Sequence, residues 1–94
     1  MKISRKVKIK NSLGLHARPA TAIAKLLQNR KASVFFTYRK ETINARSIMS
    51  ILMLAATRNS QILITAEGED AEYTFVILVY LFLYYFCEFV FILS

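Results

Sequence analysis

The sequence predicts an α+β fold: an open-faced sandwich in which a four-stranded antiparallel sheet carries helices on one face, in the order β-α-β-β-α-β-α. Three observations predict it. Residues 3 to 10 set apolar Ile3, Val7 and Ile9 against Arg5, Lys6, Lys8 and Lys10, as a half-buried strand does. Beyond His16, residues Ala20, Ile23, Ala24 and Leu27 fall on one face of a helix. Two strand-like runs, Ala32 to Tyr38 and Glu41 to Ala45, are then separated only by Arg39-Lys40, as in a hairpin.

The elements follow in order. Asn11, Ser12 and Gly14 suit a loop ahead of the first helix, and Pro19 suits its first turn, where a missing N–H costs nothing. Adjacent Phe35 and Phe36 point to opposite faces of their strand, so at least one belongs to the core. The Arg39-Lys40 turn lacks the usual Asn-Gly, which leaves its type open. Ser47 is a good N-cap for a second helix running to about Thr57. Asn59 can close that helix, because Asn tolerates the left-handed conformation. Gln61 to Ala66 forms the fourth strand with Ile62, Ile64 and Ala66 inward; Gly68 turns the chain and Asp70 caps a third helix.

At 94 residues the chain is read as a single small domain, 1–94, with room for a surface site and none for a deep cleft with its own lid. The lone cysteine, Cys87, excludes an internal disulfide framework, and one cysteine with one histidine is too few for a structural zinc site. No metal and no cofactor are expected. No apolar stretch near Met1 resembles a secretory signal, so a cytoplasmic location is expected. Thirteen basic residues lie between Lys2 and Arg58, where Glu41 is the single acid. Such a surface favours encounter with anionic partners.

The only histidine lies in Gly14-Leu15-His16-Ala17-Arg18-Pro19-Ala20. A helix beginning just after His16 places the imidazole where free backbone N–H groups point outward and carry partial positive charge. A phosphoryl group on the ring would be received there, as anions are at helix N-termini. Arg18 adds a guanidinium able to fork onto phosphate oxygens, and Gly14 lets the chain turn tightly ahead of the site. This is the pattern of a nucleophilic histidine with an electrostatic receiver.

That heptapeptide resembles the active-site signature of HPr-type phosphocarriers, and Arg46-Ser47-Ile48-Met49 resembles that family's second, serine-phosphorylation motif. Ala66-Glu67-Gly68-Glu69-Asp70-Ala71 is also similar, so the resemblance covers residues 3 to about 74. It implies a carrier, not an enzyme. His16 would accept phosphate from Enzyme I, itself charged by phosphoenolpyruvate, and pass it to an EIIA-type domain, with Arg18 stabilising the phosphate. It further implies regulation at Ser47 by a bifunctional HPr kinase/phosphorylase, as in many bacteria. A docking surface is implied from Leu15, Ala17, Thr21 and Lys25 of the first helix region with Ile48, Met49 and Leu52 of the second, rimmed by Lys25, Arg18 and Arg46. Sugar-uptake and nitrogen-regulatory branches of the family are not separated by these residues.

Residues 75 to 93 depart from the family pattern. This tract holds eight of the twelve aromatics and one charge, Glu88, and is apolar all round where the family's last helix is amphipathic. Three readings stand: a tail that is not the family's evolved helix, such as a shifted reading frame; a membrane tail anchor of ~20 residues; or a third helix that buries itself by oligomerising. In each, Phe75, Leu78, Val79 and Phe82 can still face the sheet, and Cys87 is an apolar filler. Membrane contact is expected only for an anchor. A small basic nucleic-acid-binding module is the alternative function, resting on the basic segment with Phe35, Phe36 and Tyr38. Without base-reading motifs, nucleic acid is not counted among the partners.

Overall fold

A computed structural model of the chain describes residues 1–9, 13–81 and 90–92. The strands are β1 (Lys2–Ile9), β2 (Ser33–Tyr38), β3 (Glu41–Asn44), β4 (Gln61–Glu67) and β5 (Val90–Ile92), and the helices are α1 (Ala17–Leu27), α2 (Ile48–Leu54) and α3 (Ala71–Tyr80). The sheet order is β3-β2-β4-β1-β5, with every pairing antiparallel. The first four of these are the expected framework. The three-residue β5 extends it at the edge, pairing Val7 with Ile92, Lys8 with Phe91 and Ile9 with Val90.

Period-two alternation decides which side of the sheet is covered. Val7, Ile9, Val34, Phe36, Ile62, Ile64 and Ala66 are buried, while the intervening residues of β1 and β4 are exposed or half-buried. Against that side pack Ala20, Ile23 and Leu27 of α1, Ile51 and Leu54 of α2, and Ala71, Phe75 and Leu78 of α3, forming one continuous core. Phe36 is the core member of the aromatic pair and Phe35 is half-buried on the other side. Thr74 is buried on the inner side of α3, while Tyr73, Val76 and Tyr80 are exposed, so α3 is apolar on both sides. Val79 packs against the core from the side; Phe82, Cys87 and Glu88 lie outside the described residues. No helix among the described residues is long and apolar enough to cross a membrane.

Three local expectations are resolved or corrected. The hairpin closes through Arg39 (φ 50°) and Lys40 (φ 69°), both left-handed. That is the signature of a type I′ turn, whose twist matches the flanking strands, with Tyr38 and Glu41 as the closing pair. Helix α2 ends at Leu54 instead of near Thr57, and Ala55 (φ 53°) closes it instead of Asn59, its N–H donating to the Leu52 carbonyl. Asn59 is left-handed (φ 72°) but sits in the following loop, where its N–H donates to the Ile9 carbonyl at 2.7 Å. Asp70 does occupy the N-cap position of α3, yet its side chain makes no capping bond. Its carboxylate instead accepts the Lys31 N–H at 3.0 Å and the Ala32 N–H at 2.6 Å, tying α3 to the start of β2.

The Lys31 amide, aided by Ala32 and opposed by burial, holds the Asp70 carboxyl below its ordinary 3.8. A carboxylate with a lowered folded-state pKa adds stability above its unfolded pKa, and that stability is lost as pH falls through the lowered value. Asp70→Asn should therefore show a shallower fall in melting temperature than wild type when pH is taken from about 6 to about 2. Parallel acid limbs in the two proteins would dismiss this role.

Candidate functional site

The site is built where β1 gives way to α1. Gly14 has φ 65°, and a Cβ there would lie 2.2 Å from the Ala56 carbonyl oxygen and 2.7 Å from the Thr57 Cα. Only glycine allows that approach. The contact lets the Leu15 N–H donate to the Ala56 carbonyl at 3.0 Å, which seats the turn ahead of α1 on the loop after α2. The Leu15 side chain points inward and is 3 % exposed, so Leu15 belongs to the core and not to a docking surface as expected.

His16 is the N-cap of α1, with φ −86° and ψ −169°, and its side chain makes no capping hydrogen bond. The ring is half-buried and is not spent on the helix. The Ala20 N–H donates to the His16 carbonyl at 3.0 Å and Pro19 has no N–H, so the amides of Ala17 and Arg18 are those that α1 leaves open. No acidic residue lies in the first turn to compete for them. Arg18 is exposed, and its guanidinium has no hydrogen bond or ion pair among the described residues. Thr21 Oγ1 donates to the Ala17 carbonyl at 2.8 Å, and Lys25 stands exposed in the last turn. Among the described residues no group of His, Cys, Asp and Glu could hold a metal ion.

Ser47 is the N-cap of α2, its hydroxyl accepting the Ser50 N–H at 3.2 Å. Asn44 prepares this start, its Oδ1 accepting the Arg46 N–H at 2.9 Å and its carbonyl the Ser47 N–H at 3.1 Å. On α2, Ile51 and Leu54 face the core, Leu52 packs against it from the side, and Ile48 and Met49 are exposed. Met53 is 75 % exposed, more than Met49, and joins this patch one turn further on. Sequence reasoning passed over Met53 although the i, i+4 spacing from Met49 signals it.

Arg46 was expected on the rim of the docking surface, and the structure corrects this. Its Nε donates to the Leu27 carbonyl at 3.1 Å and its Nη2 to the carbonyls of Arg30 and Ala32. The guanidinium is a clasp on the end of α1, because the last carbonyls of a helix lack intrahelical donors. The role of Ala56 also escaped sequence reasoning. A backbone carbonyl leaves no residue-type signature, and only its pairing with a left-handed glycine far away in sequence makes it matter.

The family model for the PTS HPr component phosphorylation site matches residues 3–82. The chain belongs to the HPr family. It is 48% identical over 64 residues to the phosphocarrier protein HPr of Chlamydia pneumoniae, a match covering 68% of this chain and 59% of that one. The phosphocarrier protein NPr of Klebsiella oxytoca is 39% identical over 69 residues, covering 72% of this chain and 77% of that one. The crystal structure of HPr from Bacillus anthracis superposes with a TM-score of 0.78 at 36% identity, covering 82% of this chain and 92% of that one. The chain thus matches about 59% of the length of the first of these HPr relatives.

The Gly14–Ala56 contact yields a prediction. Gly14→Ala should lose about 2 kcal/mol or more of stability, since the added methyl meets backbone and φ is positive. Ala55→Gly should instead gain about 0.5 kcal/mol by relieving a left-handed alanine. Urea midpoints at unchanged m-value measure both, and an unaffected Gly14→Ala midpoint would refute the close seating.

Proposed function

We propose that this protein is a phosphoryl carrier: His16 accepts the group from an Enzyme I charged by phosphoenolpyruvate and passes it to an EIIA-type domain. The observation that carries this reading is the uncapped His16 ring at the start of α1, beside the amides of Ala17 and Arg18 that α1 leaves open and an Arg18 guanidinium without a partner among the described residues. A neutral ring nitrogen attacks the donor's phosphorus, the N–P bond forms as the donor's bond to phosphorus breaks, and the reverse exchange follows on the acceptor. The transferred group brings negative charge, which the two amides and the guanidinium receive without reorganisation. The chain itself is the covalent intermediate between two phosphotransferases.

Docking is assigned to Ala17, Thr21 and Lys25 of α1 with Ile48, Met49, Leu52 and Met53 of α2, an exposed or half-buried strip whose cation rim is Arg18 and Lys25. Phosphorylation of Ser47 by an HPr kinase/phosphorylase would place charge at the N-terminus of α2, where it is tolerated locally. The same charge lies beside Ile48 and Met49, where it would repel an acidic partner. The resemblance to an NPr as well as to HPr proteins supports a nitrogen-regulatory variant of the same chemistry, distinguished by which EIIA-type domain accepts the label.

Incubation with Enzyme I and labelled phosphoenolpyruvate should leave acid-labile, base-stable label on wild type and none on His16→Ala. Arg18→Ala should slow labelling roughly tenfold or more, the effect of losing a charge-assisted contact of about 2 kcal/mol. Equal labelling of wild type and His16→Ala would overturn the carrier reading. Ser47→Asp should weaken transfer while Ser47→Ala, which removes only the cap, should cost about 1 kcal/mol of stability and leave transfer intact.

A further inference from the structure

The tip of the β2–β3 hairpin and the end of α2 meet at the end of the sheet where β1 leads to His16. Lys8 pairs with Gln61 and Thr37 with Leu63, which places Tyr38 to Glu41 at that end. The Ala56 carbonyl, just beyond α2, binds the Leu15 amide there. Between hairpin and helix lies a cleft of about 150 Å³, lined by Tyr38, Arg39 and Glu41 of the hairpin with Met53 and Leu54 of α2. A volume of that order holds a benzene-sized group. The cleft continues the exposed strip of Ile48, Met49 and Met53. The Arg39 guanidinium stands 5.1 Å from the centre of the Tyr38 ring, and the Tyr38 hydroxyl accepts a bond from the Ser60 hydroxyl at 3.2 Å. Arg39 and Lys40 are exposed, and neither has an ion-pair partner among the described residues.

The turn itself is strained. Arg39 (φ 50°) and Lys40 (φ 69°) hold the two left-handed positions of a type I′ turn, where Asn-Gly is the favoured pair. Two long cations stand there at a conformational cost and make no ion pair in return. Strain kept in this way points to a use outside the fold. We propose that this corner anchors the protein that donates the phosphoryl group. An apolar side chain of the donor enters the cleft beside Met53 and Leu54, and an acidic neighbour of it binds Arg39 and Lys40. The assignment rests on the carrier reading above. Glu41 lines the same cleft, so the entering side chain is uncharged and the acid stays with the cations. The chain carries its full positive charge only before the phosphoryl group arrives, so these cations pull hardest on the donor. They supply, at the far end of the α2 strip, a rim cation that Arg46 does not. A second copy of the chain is disfavoured, because it would bring a net charge of +7 against the same two cations.

The test is steady-state labelling of the full chain by Enzyme I and labelled phosphoenolpyruvate, with the chain as the varied substrate. Arg39→Asn/Lys40→Gly gives the turn the residues it favours, so its melting temperature should rise by about 4 °C or more. Its KM should nevertheless rise about tenfold at nearly unchanged kcat. Met53→Ala should raise KM roughly threefold through the cleft alone, and Arg39→Lys, which keeps the charge, should stay near wild type. Phosphoramidate, a donor with no docking surface, should label His16 equally fast in all of them. An unchanged KM in the stabilised double variant would overturn the proposal. So would an equal slowing with phosphoramidate, or a wild-type dimer in sedimentation that the double variant dissolves. A wild-type chain that Enzyme I does not label, though phosphoramidate does, would end the carrier reading itself and this inference with it.

Discussion

The Leu15 amide donates to the Ala56 carbonyl, and the glycine before it is pressed against the same segment. Much of the molecule's arrangement depends on that contact. It ends α2 early, because the chain must leave the helix at Ala55 to offer the Ala56 carbonyl outward. It turns Leu15 into the core and thereby leaves His16 as the residue that begins α1. It also joins the start of α1, where His16 stands, to the far end of the helix that carries Ile48, Met49 and Met53. The apolar patch and the His16 ring are thus held as one body by backbone, and a backbone contact is insensitive to most side-chain changes except at the glycine.

A second pair of interactions holds the opposite end of α1. Arg46 binds the carbonyls of Leu27, Arg30 and Ala32, and Asp70 binds the amides of Lys31 and Ala32. Acceptors and donors of one short connection are satisfied by a cation from the start of α2 and an anion from the start of α3. Buried or half-buried backbone groups need such partners. Both side chains are thereby committed: Arg46 turns to the end of α1, and Asp70 makes no capping bond on α3. What remains to meet an anionic partner near His16 is Arg18 and Lys25, both exposed.

Two groups of cations stand apart in the structure. Some, Arg18 and Lys25, stand exposed on α1. Others line β1, which the sheet order places away from the helices' strip. Charge counted along the chain merges the two; only the pleat and the helical register separate them. The same register explains α3, whose inner side completes the core through Phe75 and Leu78 while its outer side keeps Tyr73, Val76 and Tyr80 exposed.

Most of the fold was legible from local patterns. Alternation in β1 and β4, the apolar face of α1 and the Ser47 cap each depend on neighbours within a few residues, and each element formed where those patterns lie. The place of His16 at a helix start was legible for the same reason, since Gly14 and Pro19 bracket it. The fates of Leu15, Arg46 and Asp70 were not legible. Each is decided by a partner distant in sequence, a carbonyl or amide that carries no residue-type signal. The sequence by itself determined the element order and the place of His16 at the start of α1, because periodicity and capping are local. Which polar side chains are free to meet a partner was decided only in the tertiary structure, where backbone groups left open by one element claim them for another.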